Sequence, residues 1–551
     1  MILQSPLTEQ SVSALLSFHQ TLSKGKTTPI DLTDSDHRKH AELMLQAAGR
    51  SGEAYPHLYK ALDNSSNNVA EDLDIVHLVD SGQTAAGKAT ASVVACSGGN
   101  NMISGGHLMI FDGDSGELLA QGENTSVRSG IVVCTTRSAN ALPADKNLSI
   151  LYLGHTTSDD GSTRFFSYAN TVIVGNTGIT VNVNDPVIKN SKDGLIHIGV
   201  GRTGGYPTSD YIYTEPQNIV DPWVIAPFTG NVPLSGSIDL NSLTANDLNT
   251  YILIQKTGGN PNYITRSTQF TPDSRFVGSF SIGSAPNILK FDFTYDGLNH
   301  TNTKSIVYNS TSFGSEIVSY FYFAFNGIPL QGGSVAPPFY VCSINLPDEP
   351  SLNCTQIPNM YYWWHCLAEG TLVTMEDGSQ QPIEEITQNH RVKTTDGKTF
   401  GVYGTVKGIH TSDGATGEDG IYKVATANGK SFIATGNHMV FTTTNKCSAV
   451  HELTAGDTIL TEDGESTVES NESIEHDGMF YALALGHPEE QEAEDFPKHT
   501  AGYYAAGVLH ADQNAMRIQT VARYSDLDYM LPRLQPELHQ DYKSALNDTR
   551  S

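Results

Sequence analysis

Two early stretches, "SVSALLSFHQTL" (11–22) and "DSDHRKHAELMLQAAGR" (34–50), place apolar side chains at helical spacing, and the second offers Asp34 or Ser35 as an N-cap. After a polar linker, "LDNSSNNVAEDLD", the helical spacing gives way to another pattern. Short β-branched runs such as "ATASVVAC", "SGIVVCTT", "LSILYLGH" and "GLIHIGVG" alternate with turn clusters up to about residue 215, and a second series, including "TYILIQK", "SYFYFAFNG" and "PFYVCSI", follows to about 365. A third β-rich stretch, punctuated by "MEDGSQ", "TTDGKT" and "TEDGES", begins at Cys366. The pattern predicts a mainly β protein. It has a short helical N-terminal segment (1–70), two β-sandwich-like modules (71–215 and 216–365, the latter ending in an aromatic connector), a C-terminal all-β unit (366–520) and a short helical or flexible tail (521–551).

Composition removes several function classes. Thirty-two basic against 60 acidic residues give a formal charge of −28, which repels phosphates, so nucleic acid is not expected as a partner. No apolar run reaches the length of a membrane span, and the first twenty residues lack the basic and apolar regions of a secretory signal. None of the six cysteines sits in a CxxC pair, so no metal site and no cofactor is expected. Cys96 with Cys134, and Cys342 with Cys354, are candidate bridges in an oxidising compartment, or else four buried thiols.

The candidate chemistry starts at "YYWWHCLAEGTLVTMEDGSQQPIEEI" (361–386). A lone cysteine is most often a small buried hydrophobe, and "TGNH" (435–438) by itself reads as a turn carrying a surface histidine. The paired tryptophans read first as aromatic packing. Taken in order, however, four blocks resemble the Hint family, shared by Hedgehog autoprocessing domains, inteins and bacterial intein-like proteins. They are the cysteine with its Gly-Thr and Pro-Ile continuation, "TGNHMVF", "HELTAGDTIL", and the closing pair "DGMFYALALGH" and "AGYYAAGVLHAD".

That resemblance implies an N to S acyl shift in which Cys366 attacks the carbonyl of His365, making His365–Cys366 the scissile bond. It implies His438 as the acid toward the nitrogen of Cys366, Thr435 as the residue orienting that histidine or holding the amide, and His510 at the closing histidine position. A thiol suits the task, being the best side-chain nucleophile near neutral pH. The match fails at one place. Where inteins follow the closing histidine with a cyclising asparagine, this chain has Ala511, and Asn514 comes three residues later, so C-terminal splicing is not expected.

The expected acyl acceptor is water, a thiol, an amine or another macromolecule. The N-terminal modules carry no catalytic triad or paired-carboxylate spacing, which suggests adhesion to a cell-surface or carbohydrate ligand. Extracellular or surface placement after non-classical export follows from that suggestion, with the cytoplasm before processing. Two other readings stay open: an adhesin or particle structural protein capped by an inactive Hint fold, and a hydrolase within the β modules.

Overall fold

The computed structural model describes residues 7–549 except 64–73, 99–100, 144, 175–181, 185–195, 201–211, 215–228, 244–247, 257–262, 267–279, 293–315, 326–327, 337–338, 344–349, 359, 364–366, 389, 411–419, 477, 492 and 498–499. The chain is mainly β, as its periodicity predicts.

The early helices form at Glu9–Thr21 and Ser35–Ala47, and a third follows at Pro56–Asp63. The Asp34 side chain accepts from the backbone N–H groups of Asp36 and His37, the cap that the sequence offered. Between the first two helices, Thr27–Pro29 pairs with Thr163–Val174 as the edge of a five-stranded sheet that continues through Lys146–Ser158, Asn101–Asp112 and Leu118–Val127. A three-stranded sheet of Asp74–Gln83, Lys88–Ser97 and Ile131–Ala141 lies over one face, burying Leu108, Ile110, Leu148, Ile150 and Tyr152. The alternate residues Met109, Phe111, Leu151 and Leu153 point the other way, into a core with the helices. Strand Asn101–Asp112 is therefore buried along its whole length, because both of its faces are covered.

Register decides the cysteine pairings. Cys134 stands opposite Val93, while Cys96 stands opposite Ile131, three positions away. An odd offset puts the two thiols on opposite faces of their sheet and roughly 10 Å apart along it, so Cys96 and Cys134 cannot bridge. Cys134 packs between the two sheets, and Cys96 packs on the outer face with Cys342 and Cys354, whose sulfurs are 3.7 Å apart.

The strands Asn182–Asn184, Ile196–Val200 and Ile212–Thr214 pair with the later series and not with the first sandwich, so the described sheets divide after Val174, whereas the pattern of strand-like runs places the boundary at 215. In that later series Met360–Trp363, the "YYW" stretch, is a strand lying between Ile196–Val200 and Glu316–Phe325.

The C-terminal unit is a 14-stranded array opening with the two-residue strand Leu367–Ala368, which sits between Ser431–Thr435 and Gly478–Leu485. Its core is aliphatic, from Val373, Ile383 and Val402 to Leu483 and Val508. After the closing strand Val508–Ala511, Asp512 caps helix Gln513–Tyr524, and the tail continues through Leu527–Met530 to helix His539–Asp548. That last helix packs against Pro56–Asp63 and against strands Asn101–Asp112 and Leu118–Val127 of the N-terminal body. No helix among the described residues is long and apolar enough to cross a membrane.

Candidate functional site

His365, Cys366 and Trp364 lie outside the described residues, so the site is built from its flanks. Upstream, Met360–Trp363 is fixed in the second module's sheet. Downstream, Leu367 pairs with Ala434 on one side and Tyr481 on the other. Thr435 follows Ala434 directly and ends its strand, so backbone pairing alone brings the start of the C-terminal unit beside the "TGNH" turn.

That turn exists: the His438 N–H donates to the Thr435 carbonyl at 2.9 Å. Its histidine is not at the surface, however, since His438 is fully buried and Thr435 is 6 % exposed. The backbone around it is tied to several neighbours. The Gly436 N–H donates to Gly420, the Val450 N–H to the His438 carbonyl, and His451 reaches the Gly436 carbonyl through both its backbone N–H and its Nδ1. The turn is held on three sides, which fixes where the imidazole begins.

His510 arrives from 72 residues away. It stands opposite Val440 in the pairing of Val508–Ala511 with Met439–Thr443, and opposite Tyr503 in the pairing with Gly502–Ala505. His510 Nδ1 lies 3.0 Å from His438 Nε2, and His510 Nε2 lies 3.1 Å from the Ala505 carbonyl oxygen. Phe432 meets the His510 ring edge to face at 4.7 Å.

These contacts fix the proton positions. A carbonyl only accepts, so His510 Nε2 must carry the hydrogen. Burial pushes the His510 pKa down to about 3, partly offset by the bond to Ala505, so the ring is neutral at physiological pH and its Nδ1 is an acceptor. His438 then donates from Nε2, and its Nδ1 is the nitrogen that holds the lone pair or takes the proton. A backbone carbonyl thus sets the tautomer of one buried imidazole, which sets that of the next. The arrangement delivers a proton-transfer group with a defined reacting nitrogen.

Ala511 is fully buried among Met439, Phe441, Leu509, Ala515 and Met516. Its methyl occupies packing space, and Asn514 has already entered the following helix. One residue that sequence reading passed over is Asp512. It is fully buried, accepts from the Leu485 N–H at 3.0 Å and the Ala515 N–H at 2.8 Å, and ties the closing strand to the helix after it. The available signal was an N-cap residue placed directly after a β run. Among the described residues no group of His, Cys, Asp or Glu is arranged to hold a metal ion.

No family model and no curated protein matches the chain. Among solved structures, the gp41-1 intein is 16 % identical, covering 27 % of this chain and 100 % of its own, at a TM-score of 0.21. The MchDnaB-1 intein gives 16 %, 26 % and 99 % at 0.21, and a bacterial intein-like domain from Clostridium thermocellum gives 16 %, 27 % and 100 % at 0.21.

Proposed function

We propose that the unit beginning at Cys366 is a Hint-type autoprocessing device that breaks the His365–Cys366 bond once. The Cys366 thiol attacks the His365 carbonyl carbon, a C–S bond forms, and the C–N bond breaks. His438 Nδ1, which starts with the lone pair, takes the proton lost by the thiol and gives it to the departing nitrogen, so the ring ends as it began and a thioester and a free amine remain. Thr435, next to the strand partner of Leu367, orients the histidine or the amide. His510 is a positioning residue that keeps Nδ1 as the reacting nitrogen of His438. Water, a thiol, an amine or another macromolecule then takes the acyl group.

The observation that supports this reading is the hydrogen-bonded series Ala505 carbonyl, His510, His438, buried beside the strand that starts the unit. A satisfied core histidine needs one partner, whereas two imidazoles in line with a fixed tautomer define a direction for the proton. With Ala511 in place of an amide side chain, the cyclisation that would cut a second junction has no nucleophile. Cleavage is therefore one-sided.

The test is a denaturing gel and intact mass of the purified chain with and without dithiothreitol. A fragment ending at His365 that grows with thiol, is lost in Cys366→Ala and forms slowly in His438→Ala is the expected result. A full-length mass under both conditions would instead leave the C-terminal unit as an inactive cap.

A further inference from the structure

We propose that cutting His365–Cys366 does not part the products, because the C-terminal piece holds the N-terminal piece by its own tail. This rests on the cleavage reading for its biological occasion but not for its physics. The helix His539–Asp548 belongs by sequence to the fragment starting at Cys366 and by packing to the fragment before it.

The contact has the character of a core. Tyr524, Met530, Leu534, Tyr542 and Ala545 are buried in the same apolar cluster as Leu15, Phe18, Met44, Phe111 and Leu151. The polar groups are matched across it. Helix Pro56–Asp63 opens with a proline, and the next two backbone N–H groups, of His57 and Leu58, donate to the Asp541 carboxylate at 3.0 and 2.9 Å. The cap of an N-terminal helix is thus supplied from 484 residues downstream. Ser544 donates to the Ala54 carbonyl at 2.7 Å, and Tyr55 donates to Asp548.

At its other end the tail is fastened to the C-terminal unit. Arg523 pairs with Glu452 at 3.0 Å, Tyr529 donates to the same carboxylate, and Asp512 anchors the first helix. Tyr524 lies between Arg523 and Arg128 of the N-terminal body, whose guanidinium carbons are 5.2 and 5.3 Å from its ring centre. The segment 512–548 is therefore a strap riveted at both ends to different sides of the cut. The surface formed by helix Pro56–Asp63 and strands Asn101–Asp112 and Leu118–Val127 is occupied by this chain's own tail.

The experiment separates this from the chemistry. A site-specific protease sequence is inserted after His365 in a Cys366→Ala chain, the chain is cut, and the products are run on gel filtration with light scattering in native buffer. The expected result is one species of the uncut mass holding both fragments, which separate only in denaturant. Asp541→Ala is expected to raise the dissociation constant roughly tenfold, and Leu546→Asp, at a helix position buried on the same side, is expected to give mostly separate fragments. Circular dichroism before cutting checks that each variant has folded, and Asp541→Asn, which keeps one acceptor, is expected to fall between parent and Asp541→Ala. Separate fragments from the parent chain, co-elution that survives Leu546→Asp, or a species of twice the mass in which tails have exchanged between copies would each overturn the strap. Failure of thiol-dependent cleavage would overturn the previous section and leave this result intact.

Discussion

Replacing His510 by alanine is the sharpest check on the buried imidazole pair. The substitution removes the acceptor of the His438 Nε2–H and the donor to the Ala505 carbonyl, both in a dry environment. Losing a partner at such a site costs about 1–3 kcal/mol for each group left behind. The vacated ring also forfeits its edge contact with Phe432 and leaves a cavity, which adds about 1–2 kcal/mol where the surroundings do not collapse. Together these come to about 3–8 kcal/mol of local stability. Hydrogen exchange read by mass spectrometry suits a chain of several units better than a single denaturation curve, because it reports each region separately. In a Cys366→Ala background, protection of the peptides covering Met439–Thr443 and Val508–Ala511 is expected to fall by about 10²–10⁶, at 1.4 kcal/mol per tenfold. The sandwich strand Lys146–Ser158 is expected to keep its protection. His510→Asn, whose carbonyl oxygen can take the place of Nδ1, is expected to recover part of the loss. Protection within threefold of the parent in His510→Ala would refute the claim that these hydrogen bonds tie the closing strand to the "TGNH" turn.

Acid is expected to destabilise the fold early. Burial holds His107 and His510 at about 3 and His155 well below the usual range, with the Arg50 charge adding to the first and last of the sandwich pair. Each stays neutral when folded and binds a proton when unfolded, so stability is flat above about pH 6.5 and falls as pH drops toward 3, by up to about 1.4 kcal/mol per pH unit per histidine. Asp80 and Asp541, raised by burial, act in the opposite sense. Urea midpoints that stay level from pH 7 to 4.5 would contradict this. Gly106→Ala would place a Cβ 2.1 Å from the Tyr152 hydroxyl oxygen, and a loss of about 1–3 kcal/mol in thermal or urea unfolding is expected. Mild oxidation is expected to link Cys342 to Cys354, but never Cys96 to Cys134, as peptide mapping would read.

Local pattern carried much of this outcome. The two early helices and the Asp34 cap follow from spacing and side-chain chemistry within a few residues, and the "TGNH" turn follows from its Gly-Asn pair. What the sequence could not display was partnership across distance. A turn histidine is ordinarily wet, and it is the distant pairing of Val440 with His510 that sets a second buried imidazole against His438. The strand Thr27–Pro29 sits in a segment that reads as helical and becomes β because a sheet edge was open beside it. Cys96 and Cys134 look like a pair until the offset of their strands is known. Asp541, in a polar tail with little apolar content, gives no local sign that its acceptors serve helix Pro56–Asp63.

The strap also sets an order of events in time. The wall that Tyr542 and Ala545 add to the N-terminal core is made 484 residues after the helix that Asp541 caps. At a synthesis rate of roughly 5–20 residues per second, that core waits about 25–100 s on the ribosome with one side open. During the wait, helix Pro56–Asp63 and strands Asn101–Asp112 and Leu118–Val127 lack the helix that finally packs on them, so a holding chaperone or a neighbouring nascent chain meets this protein on that face first.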